Sequence, residues 1–365
     1  MNRLLATIIL LAGVVTGLAQ QPPITQTEYV KMLYALEKTP RTRVDIVDAL
    51  RKRGIDFTVT DGLRSLTRSK GANDDDLKRA LEEADRRRQN PVAAQPVSKE
   101  DASGLLVNTT KNTLAAVDEM PDFVVKQQIQ RSWAFAGTNN YKNLDRLVVA
   151  VSYRSTGEES YKVLSMNGLV RNDAEARRSY SDTGGTTSTG EFVSMLAVIF
   201  KPESLTKFEV VDSDVLNGRR TVIFDFSIER AKAQQTLTYS GQVTDNTAWT
   251  GVQGRIWIDR DEARVLRIES EATEIPAGFP IQSARRTIDY DWVRIDGQRY
   301  LLPALSSVRL VTRESVRSLE NGRSTQTTKS VETRNVIRFK EYQKYGTEVK
   351  ILDDDNKPEP EREPR

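Results

Sequence analysis

The chain has 365 residues, of which 38% are apolar and 29% are charged, so it is long enough to bury a core and polar enough to stay soluble. Its net charge is only +3, which argues against nucleic acid as a partner. The sequence contains no His and no Cys. Disulfides, Cys/His zinc sites, thiol nucleophiles and imidazole bases are therefore excluded, and no cofactor is predicted.

The N-terminus has the pattern of a secretory signal peptide. Arg3 precedes an apolar run over residues 4–15, and Gly17 and Ala19 occupy the small-residue positions that precede a cleavage site. We expect residues 1–19 to be removed after Ala19, which gives a periplasmic or secreted protein. No later stretch reaches the roughly 18 apolar residues that a membrane helix needs, so no transmembrane segment is expected in the mature chain.

Residues 25–88 have helical periodicity and are predicted to form a small all-α domain. Four helices are expected, and they begin at or near Thr27, Thr42, Thr60 and Asp74. The second helix is expected to bury Val44, Val47 and Leu50 and to end at Gly54. The 15 basic and 12 acidic side chains of this segment are interleaved, which is typical of a solvated helical surface.

A linker is predicted over residues 89–103, which contain two prolines and few large apolar groups. A further helix is expected from about Asp101 to Met120. Residues 353–365 carry six acidic residues, three basic residues and three prolines, a composition that predicts a disordered tail.

After Pro121 the apolar period changes from helical to alternating, so residues 104–350 are predicted to fold mainly as an antiparallel sheet. Alternation is clear around Val149 and Val151, around Phe224 and Phe226, and around Ile268. Tight hairpin turns are predicted at Asn167-Gly168, Asn217-Gly218, Asp296-Gly297 and Asn321-Gly322.

One helix interrupts the predicted strands, over residues 188–200. Phe192, Met195, Leu196 and Ile199 share one face, and Ser188 with Glu191 three residues later is typical of a helix N-terminus. A single amphipathic helix in this position is expected to pack across the apolar face of the sheet.

Candidate catalytic groups are few. The Gly-rich stretch 184–191 has the spacing of a phosphate-binding loop, but Glu191 stands where that loop needs Lys. The acidic residues 259–262 favour a hairpin turn, with calcium binding as the alternative. Asp289 and Asp291 share a strand face and could serve glycoside hydrolysis, although an exposed polar face also explains them.

Aromatic and branched residues recur on successive predicted strands. One interpretation is an ordinary sheet core under a helix, and the other is a concave apolar surface able to hold an acyl chain or apolar peptide. Under the second interpretation, the candidate lining residues are Val149, Val151, Phe192, Leu196, Val222, Phe224, Phe226, Trp257, Leu266 and Ile268.

Residues 254–269 (GRIWIDRDEARVLRIE) resemble a hairpin found in periplasmic proteins of the LolA/LolB/RseB-like superfamily, which are lipoprotein carriers and related sensors. Residues 288–303 and 334–345 are similar to later strands of the same superfamily. The sequence as a whole also resembles secreted proteins from soil bacteria of acidobacterial type. The resemblance implies a half-open antiparallel barrel with helices over its concave face, which holds acyl chains without covalent chemistry.

These observations predict an α+β protein in which a small all-α domain precedes a large antiparallel half-barrel with covering helices. The first hypothesis for function is a non-enzymatic cell-envelope protein that binds an acyl chain or lipoprotein. The second is an envelope sensor or scaffold with a filled core, which contacts a partner protein through residues 25–88. The third is a hydrolase that uses strand carboxylates such as Asp289 or Asp291.

Overall fold

The computed structural model describes residues 21–39, 43–171, 180, 186–187, 189–240, 245–320 and 323–346. The predicted signal peptide, the Asn321-Gly322 turn and the predicted tail lie outside these residues. The α-helices of the described residues are α1 Gln26–Ala35, α2 Arg43–Arg53, α3 Asp61–Lys70, α4 Asp75–Gln89, α5 Lys99–Asp118, α6 Ser194–Phe200 and α7 Arg230–Ala233. The strands are β1 Phe123–Phe135, β2 Lys142–Tyr153, β3 Glu159–Met166, β4 Leu169–Val170, β5 Lys207–Leu216, β6 Arg219–Ile228, β7 Gln235–Ser240, β8 Asp245–Asp259, β9 Val265–Thr273, β10 Ile281–Ile295, β11 Gln298–Glu320 and β12 Arg323–Lys344.

The described strands form one antiparallel sheet in the order β4-β3-β2-β1-β12-β11-β10-β9-β8-β6-β5, with β7 paired to the beginning of β8. Because the order starts at β4 and ends at β5, these two strands are edges and the sheet stays open. Helices precede this sheet in the chain. The predicted architecture, an α+β half-barrel with a helical segment before it, is confirmed.

The Asn-Gly and Asp-Gly turns fix the register of the hairpins. Asn217 and Gly218 have φ angles of 52° and 74°, and Asp296 and Gly297 have φ angles of 52° and 81°. Two successive residues at positive φ match the right-handed twist of the flanking strands. The turn at residues 167–168 has the same geometry, so the three predicted turns that lie within the described residues are confirmed.

Gly254 of β8 lies where this strand approaches β9 too closely for a side chain. A Cβ atom at this position would lie 1.9 Å from the carbonyl oxygen of Glu269 and 2.9 Å from the ring of Phe226. Only glycine fits such a contact without moving the backbone. This explains the first residue of the hairpin motif at 254–269 in physical terms.

The four helices predicted over residues 25–88 are present, and two of their predicted N-caps are correct. Thr60 Oγ1 accepts a hydrogen bond from the backbone N–H of Leu63, and Asp74 Oδ1 accepts one from Leu77. Each bond satisfies a backbone donor that the first turn of a helix leaves free.

Two details of the same segment were predicted wrongly. The first helix is capped by Thr25 and not by Thr27, since Thr25 Oγ1 accepts a hydrogen bond from the N–H of Glu28. Val44 is 66% exposed, and Ile46 is buried in its place. Ile46 lies one helical turn before the next buried leucine, which places it on the core side of α2.

The helical segment packs on one face of the sheet through ion pairs. Arg79 of α4 is only 7% exposed, and its Nη1 donates to Glu269 Oε1 at 2.5 Å. Arg86 Nη2 donates to Asp214 Oδ2 at 2.9 Å. The expected solvated surface is therefore wrong for this side of α4, because its charges meet opposite charges on the strands. We call this side of the sheet the ionic face.

Asp76, in the first turn of α4, completes the contact. Its carboxylate accepts hydrogen bonds from Arg309 Nη2 at 3.0 Å and from Arg285 Nη1 at 3.1 Å. Burial by itself would raise the pKa of Asp76, but Arg309, Arg79 and Arg285 together hold that pKa below its usual range. We use the name ionic interface for the six residues Asp76, Arg79, Arg86, Asp214, Glu269 and Arg309.

Residues 90–98 lead from α4 on the ionic face to α5 on the opposite face. Ser98 caps α5 by accepting a hydrogen bond from the N–H of Asp101 at 3.0 Å, so this helix begins at Lys99, inside the predicted linker. The division of the chain into domains at residues 89–103 stays a prediction.

Candidate ligand-binding surface

The face of the sheet opposite α4 is apolar, and its buried side chains form two clusters. The first cluster lies on β6, β8, β9 and β10 and includes Val222, Phe224, Phe226, Ile256, Ile268 and Ile288. The second cluster lies on β1, β2, β3 and β12 and includes Phe123, Ile129, Val149, Val151, Ile337 and Phe339. We call this side the apolar face. The two clusters lie side by side across the middle of the open sheet.

Helix α5 is the longer of the two helices that cover the apolar face. Its buried residues are Ala102, Thr109 and Thr113, whereas Leu105 and Leu114 are only partly buried. Thr109 Oγ1 donates to the carbonyl of Leu105 at 2.8 Å, so its hydroxyl is satisfied within the helix. This helix therefore contacts the apolar face through small buried side chains and through leucines that are partly buried against the first cluster.

Near its middle, α5 is tied to one end of the sheet. Asn112 Nδ2 donates to the carbonyl oxygens of Glu262 at 3.3 Å and Ala263 at 3.4 Å, and Arg264 donates to the carbonyl of Asn112. These residues belong to the turn between β8 and β9. The contact fixes one point of α5 without adding apolar burial.

Helix α6 is shorter than predicted. It begins at Ser194 and not at Ser188, which lies outside the described residues, and no side chain caps it. The segment before it carries Phe192 onto the second cluster, where its ring lies 5.2 Å from Phe123 and 5.6 Å from Phe339 between centroids. Leu196 is half-buried against the first cluster. The segment and the helix together span both clusters.

The structure divides the predicted lining residues between the two faces. Most lie in the two clusters of the apolar face or pack against them, namely Val222, Phe224, Phe226, Leu196, Ile268, Val149, Val151 and Phe192. Trp257 and Leu266 lie in a separate cluster with Leu216 and Ile223. Trp257 stands between two residues of the apolar face, so strand alternation turns it to the ionic face. There its Nε1 donates to Asp214 Oδ2 at 3.3 Å.

A β-bulge explains the position of Leu266. The register between β8 and β9 shifts from Trp257 opposite Arg267 to Ile258 opposite Val265, which leaves Leu266 as the additional residue. Alternation of apolar residues predicted that Leu266 and Ile268 share a face. The bulge breaks that relation.

Polar groups lie between the two apolar clusters, and the sequence did not reveal them. Tyr161 donates a hydrogen bond to Glu159 Oε2, and the N–H of Gly190 donates to the same oxygen at 3.1 Å. Glu191 is 0% exposed and Tyr290 is 2% exposed. We call Glu159, Tyr161, Glu191 and Tyr290 the polar cluster. Glu191 was predicted to help cap a helix, but that helix begins three residues later.

Electrostatics within the polar cluster disfavour further negative charge. Burial raises the pKa of the Glu159 carboxyl, and the neighbouring Glu191 charge raises it further, while Arg286 acts in the opposite direction. Burial likewise raises the pKa of the Tyr290 hydroxyl, which therefore stays protonated and can donate a hydrogen bond.

The polar atoms on the apolar face without a hydrogen-bond partner among the described residues include both amide atoms of Gln127, the hydroxyl of Tyr290 and the hydroxyl of Ser306. They are 0%, 2% and 1% exposed, respectively. Gln127 lies opposite Phe339 in the register, and Ser306 lies between Ile288 and Ile337. An unsatisfied buried polar group costs about 1–3 kcal/mol, so three on one surface need an explanation.

The carboxylates considered for hydrolysis make structural contacts. Asp289 Oδ1 accepts a hydrogen bond from Arg267 Nε at 2.5 Å, and Asp291 Oδ1 accepts one from the N–H of Trp292 at 2.7 Å. Asp259 Oδ1 accepts from the backbone N–H of Asp261, as the predicted turn requires. In the described part of the chain no group of three or more acidic side chains is arranged to hold a metal ion.

None of the helices that the structure describes combines the length and the apolarity needed to cross a membrane. No family model and no curated protein matches the sequence. Among solved structures, a LolA superfamily protein of Nitrosomonas europaea is 10% identical, with 66% of this chain and 94% of that chain covered and a TM-score of 0.27. A DUF1329 family protein of Desulfovibrio piger is 11% identical, with 66% of this chain and 93% of that chain covered and a TM-score of 0.27.

TM-scores of this size carry no argument about function, and the fold is established by the strand order itself.

Proposed function

We propose that the protein is an exported, non-enzymatic component of the cell envelope that binds an acyl chain or a lipoprotein through apolar contacts. The ligand would lie between the apolar face of the sheet and the two helices α5 and α6. One observation supports this site above all: two apolar clusters lie side by side on the sheet under a cover whose own leucines are only partly buried.

Helix α5 is the part of the cover that we expect a ligand to replace. The side chains that it buries fully are small, namely Ala102, Thr109 and Thr113, and the leucines that pack against the first cluster are only partly buried. A buried methylene group contributes about 0.8 kcal/mol, so an apolar ligand on the same surface would replace this contact with a larger one.

A sensor or scaffold is the second candidate function. It is favoured by the way in which Phe192 and α6 already fill the space above Phe123 and Phe339. In that case the apolar face is a core, and residues 25–88 would contact a partner protein. A carboxylate-dependent hydrolase is less well supported, since Asp289 is held by Arg267.

Lipid uptake separates the first two candidates. We expect acyl lipids to co-purify with protein isolated from the envelope, as detected by mass spectrometry, and Nile red to fluoresce when added to the delipidated protein. Leu196→Asp places a charge at a half-buried position of α6 facing the first cluster and is expected to weaken Nile red binding at least 10-fold.

The matched control is Ser194→Asp, because Ser194 is exposed on the same helix and its substitution should leave binding unchanged. Absence of both co-purified lipid and Nile red binding would contradict the proposal and favour the scaffold.

A further inference from the structure

The apolar face contains buried polar side chains, and a plain hydrocarbon ligand does not explain them. Near its centre stand three polar side chains that are all nine-tenths or more buried: Gln127 among residues of the second cluster, Ser306 between the two clusters and Tyr290 within the first cluster. None of these polar atoms has a hydrogen-bond partner among the residues that the structure describes. Apolar side chains of similar volume would fill these positions without that cost.

The strand register brings the three groups to one region. Gln127 on β1 lies opposite Phe339 on β12, and Ser306 on β11 lies opposite Ile337 on the same strand. Phe339 and Ile337 are two residues apart, so both face the same way. Tyr290 on β10 lies two residues beyond Ile288, the other register neighbour of Ser306.

Phe192 lies above this region. Its ring packs on Phe339 at 5.6 Å between centroids, next to the register position of Gln127. The same segment places Glu191 close enough to raise the pKa of Tyr290. A molecule that entered between α6 and the sheet would therefore meet these polar atoms at the middle of its length and apolar side chains on either side.

We infer that the ligand of the apolar face is a neutral amphiphile whose apolar chain carries a group that both donates and accepts hydrogen bonds, such as an acyl amide. This inference rests on the proposed function and adds the chemical class of the ligand. The Gln127 amide can donate to a carbonyl oxygen and accept from an N–H, and the two hydroxyls can do either. A fatty-acid carboxylate is disfavoured because its negative charge would lie near the Glu191 carboxyl, which acts on the hydroxyl of Tyr290.

Competition against Nile red tests the inference with three compounds of similar length: N-ethylmyristamide, myristate and hexadecane. The wild-type protein is expected to bind the amide at least 10-fold more tightly than either of the others, since only the amide satisfies the buried groups. Gln127→Met should weaken amide binding about 10-fold and leave hexadecane binding unchanged.

Gln128→Met is the matched control, because Gln128 is the next residue of β1 and points to the other face. It should change none of the three affinities. Thermal unfolding adds a readout that does not depend on ligand: Gln127→Met is expected to keep or raise the melting temperature of the ligand-free protein. A lower melting temperature would mean that the amide is bonded within the protein and would overturn the inference.

Equal affinities for the amide and the alkane in the wild type would also overturn it, while the proposed function would stand. If none of the three compounds displaces Nile red and no lipid co-purifies, the proposed function itself fails, and the two failures are thereby distinguished.

Discussion

The two faces of the same sheet are stabilised by different forces. On the ionic face, α4 is held by buried arginine–carboxylate pairs such as Arg79 with Glu269, whereas on the apolar face α5 is held by small buried side chains, by partly buried leucines and by hydrogen bonds of Asn112. Charge pairs are directional and fail when one partner is removed. Apolar contacts are non-directional and can be exchanged for others. The comparison indicates that the helices of the ionic face are fixed and those of the apolar face are replaceable.

The largest expected effect is on the apolar face. Phe224→Ala should lower the free energy of unfolding by about 4 kcal/mol, because it removes a buried ring and leaves a cavity in the first cluster. Chemical denaturation measures this change. The loss should be the same at low and high salt, and a strong salt dependence would contradict the assignment of Phe224 to an apolar core.

The next effect is on the ionic face. Arg79→Met should cost about 3 kcal/mol, because Glu269 and Asp76 lose a buried counter-charge. Hydrogen exchange should show weaker protection of α1 to α4 while the strands of the sheet stay protected. The control is Lys207→Met, since Lys207 and Glu229 form a pair in which both side chains are 71% exposed, and its loss should leave stability nearly unchanged. If the two substitutions had equal effects on stability, the buried ion pairs of the ionic face would hold α4 no more strongly than an exposed pair does.

The smallest effect is a dependence on pH that has opposite signs at Asp76 on the ionic face and at Glu159 in the polar cluster. The pKa of Asp76 is lowered in the folded chain, so its contribution is complete above the ordinary value of 3.8 and is lost as the pH falls below it. The pKa of Glu159 is raised in the folded chain. The contribution of this carboxyl group to stability is therefore complete below its ordinary pKa of 4.5 and is lost as the pH rises through the folded pKa. Acidification should therefore release the helices of the ionic face before it disturbs the sheet.

Hydrogen exchange between pH 5 and pH 2.5 checks this order, with Asp76→Asn as the comparison. The variant should lose protection of α4 already at pH 5 and change less on acidification than the wild type does. Simultaneous loss of hydrogen-exchange protection in α4 and in the strands of the sheet would contradict the prediction.

Local patterns in the sequence were enough to predict the strands, the described tight turns and the four helices before the sheet. They failed where the outcome depends on residues far apart in the chain. Arg79 meets Glu269 across 190 positions, so nothing near Arg79 distinguishes it from a solvated charge. Trp257 lies on a strand that carries apolar residues on both faces, so its neighbours in sequence give no sign that its indole N–H bonds Asp214, 43 positions away.

Glu191 and Gln127 show a second limit. A carboxyl beside a predicted helix start is usually a capping group, and a glutamine in a strand is usually on the wet face. Both are fully buried on the apolar face. The only signal was the position of Gln127 in its strand. It lies two residues from Val125 and two from Ile129, and strict alternation places all three side chains on one face.

The strand order has a consequence for how the molecule behaves at high concentration. Unpaired backbone groups at the margins of an open sheet invite other chains to add strands, and long apolar margins are prone to aggregate. Two margins here limit such addition: β4 is two residues long, and at β5 Arg86 and Arg87 of α4 bind Asp214 and Asp212. The third margin is β7, which pairs with β8 alone among the described residues and is therefore the more open to an added strand.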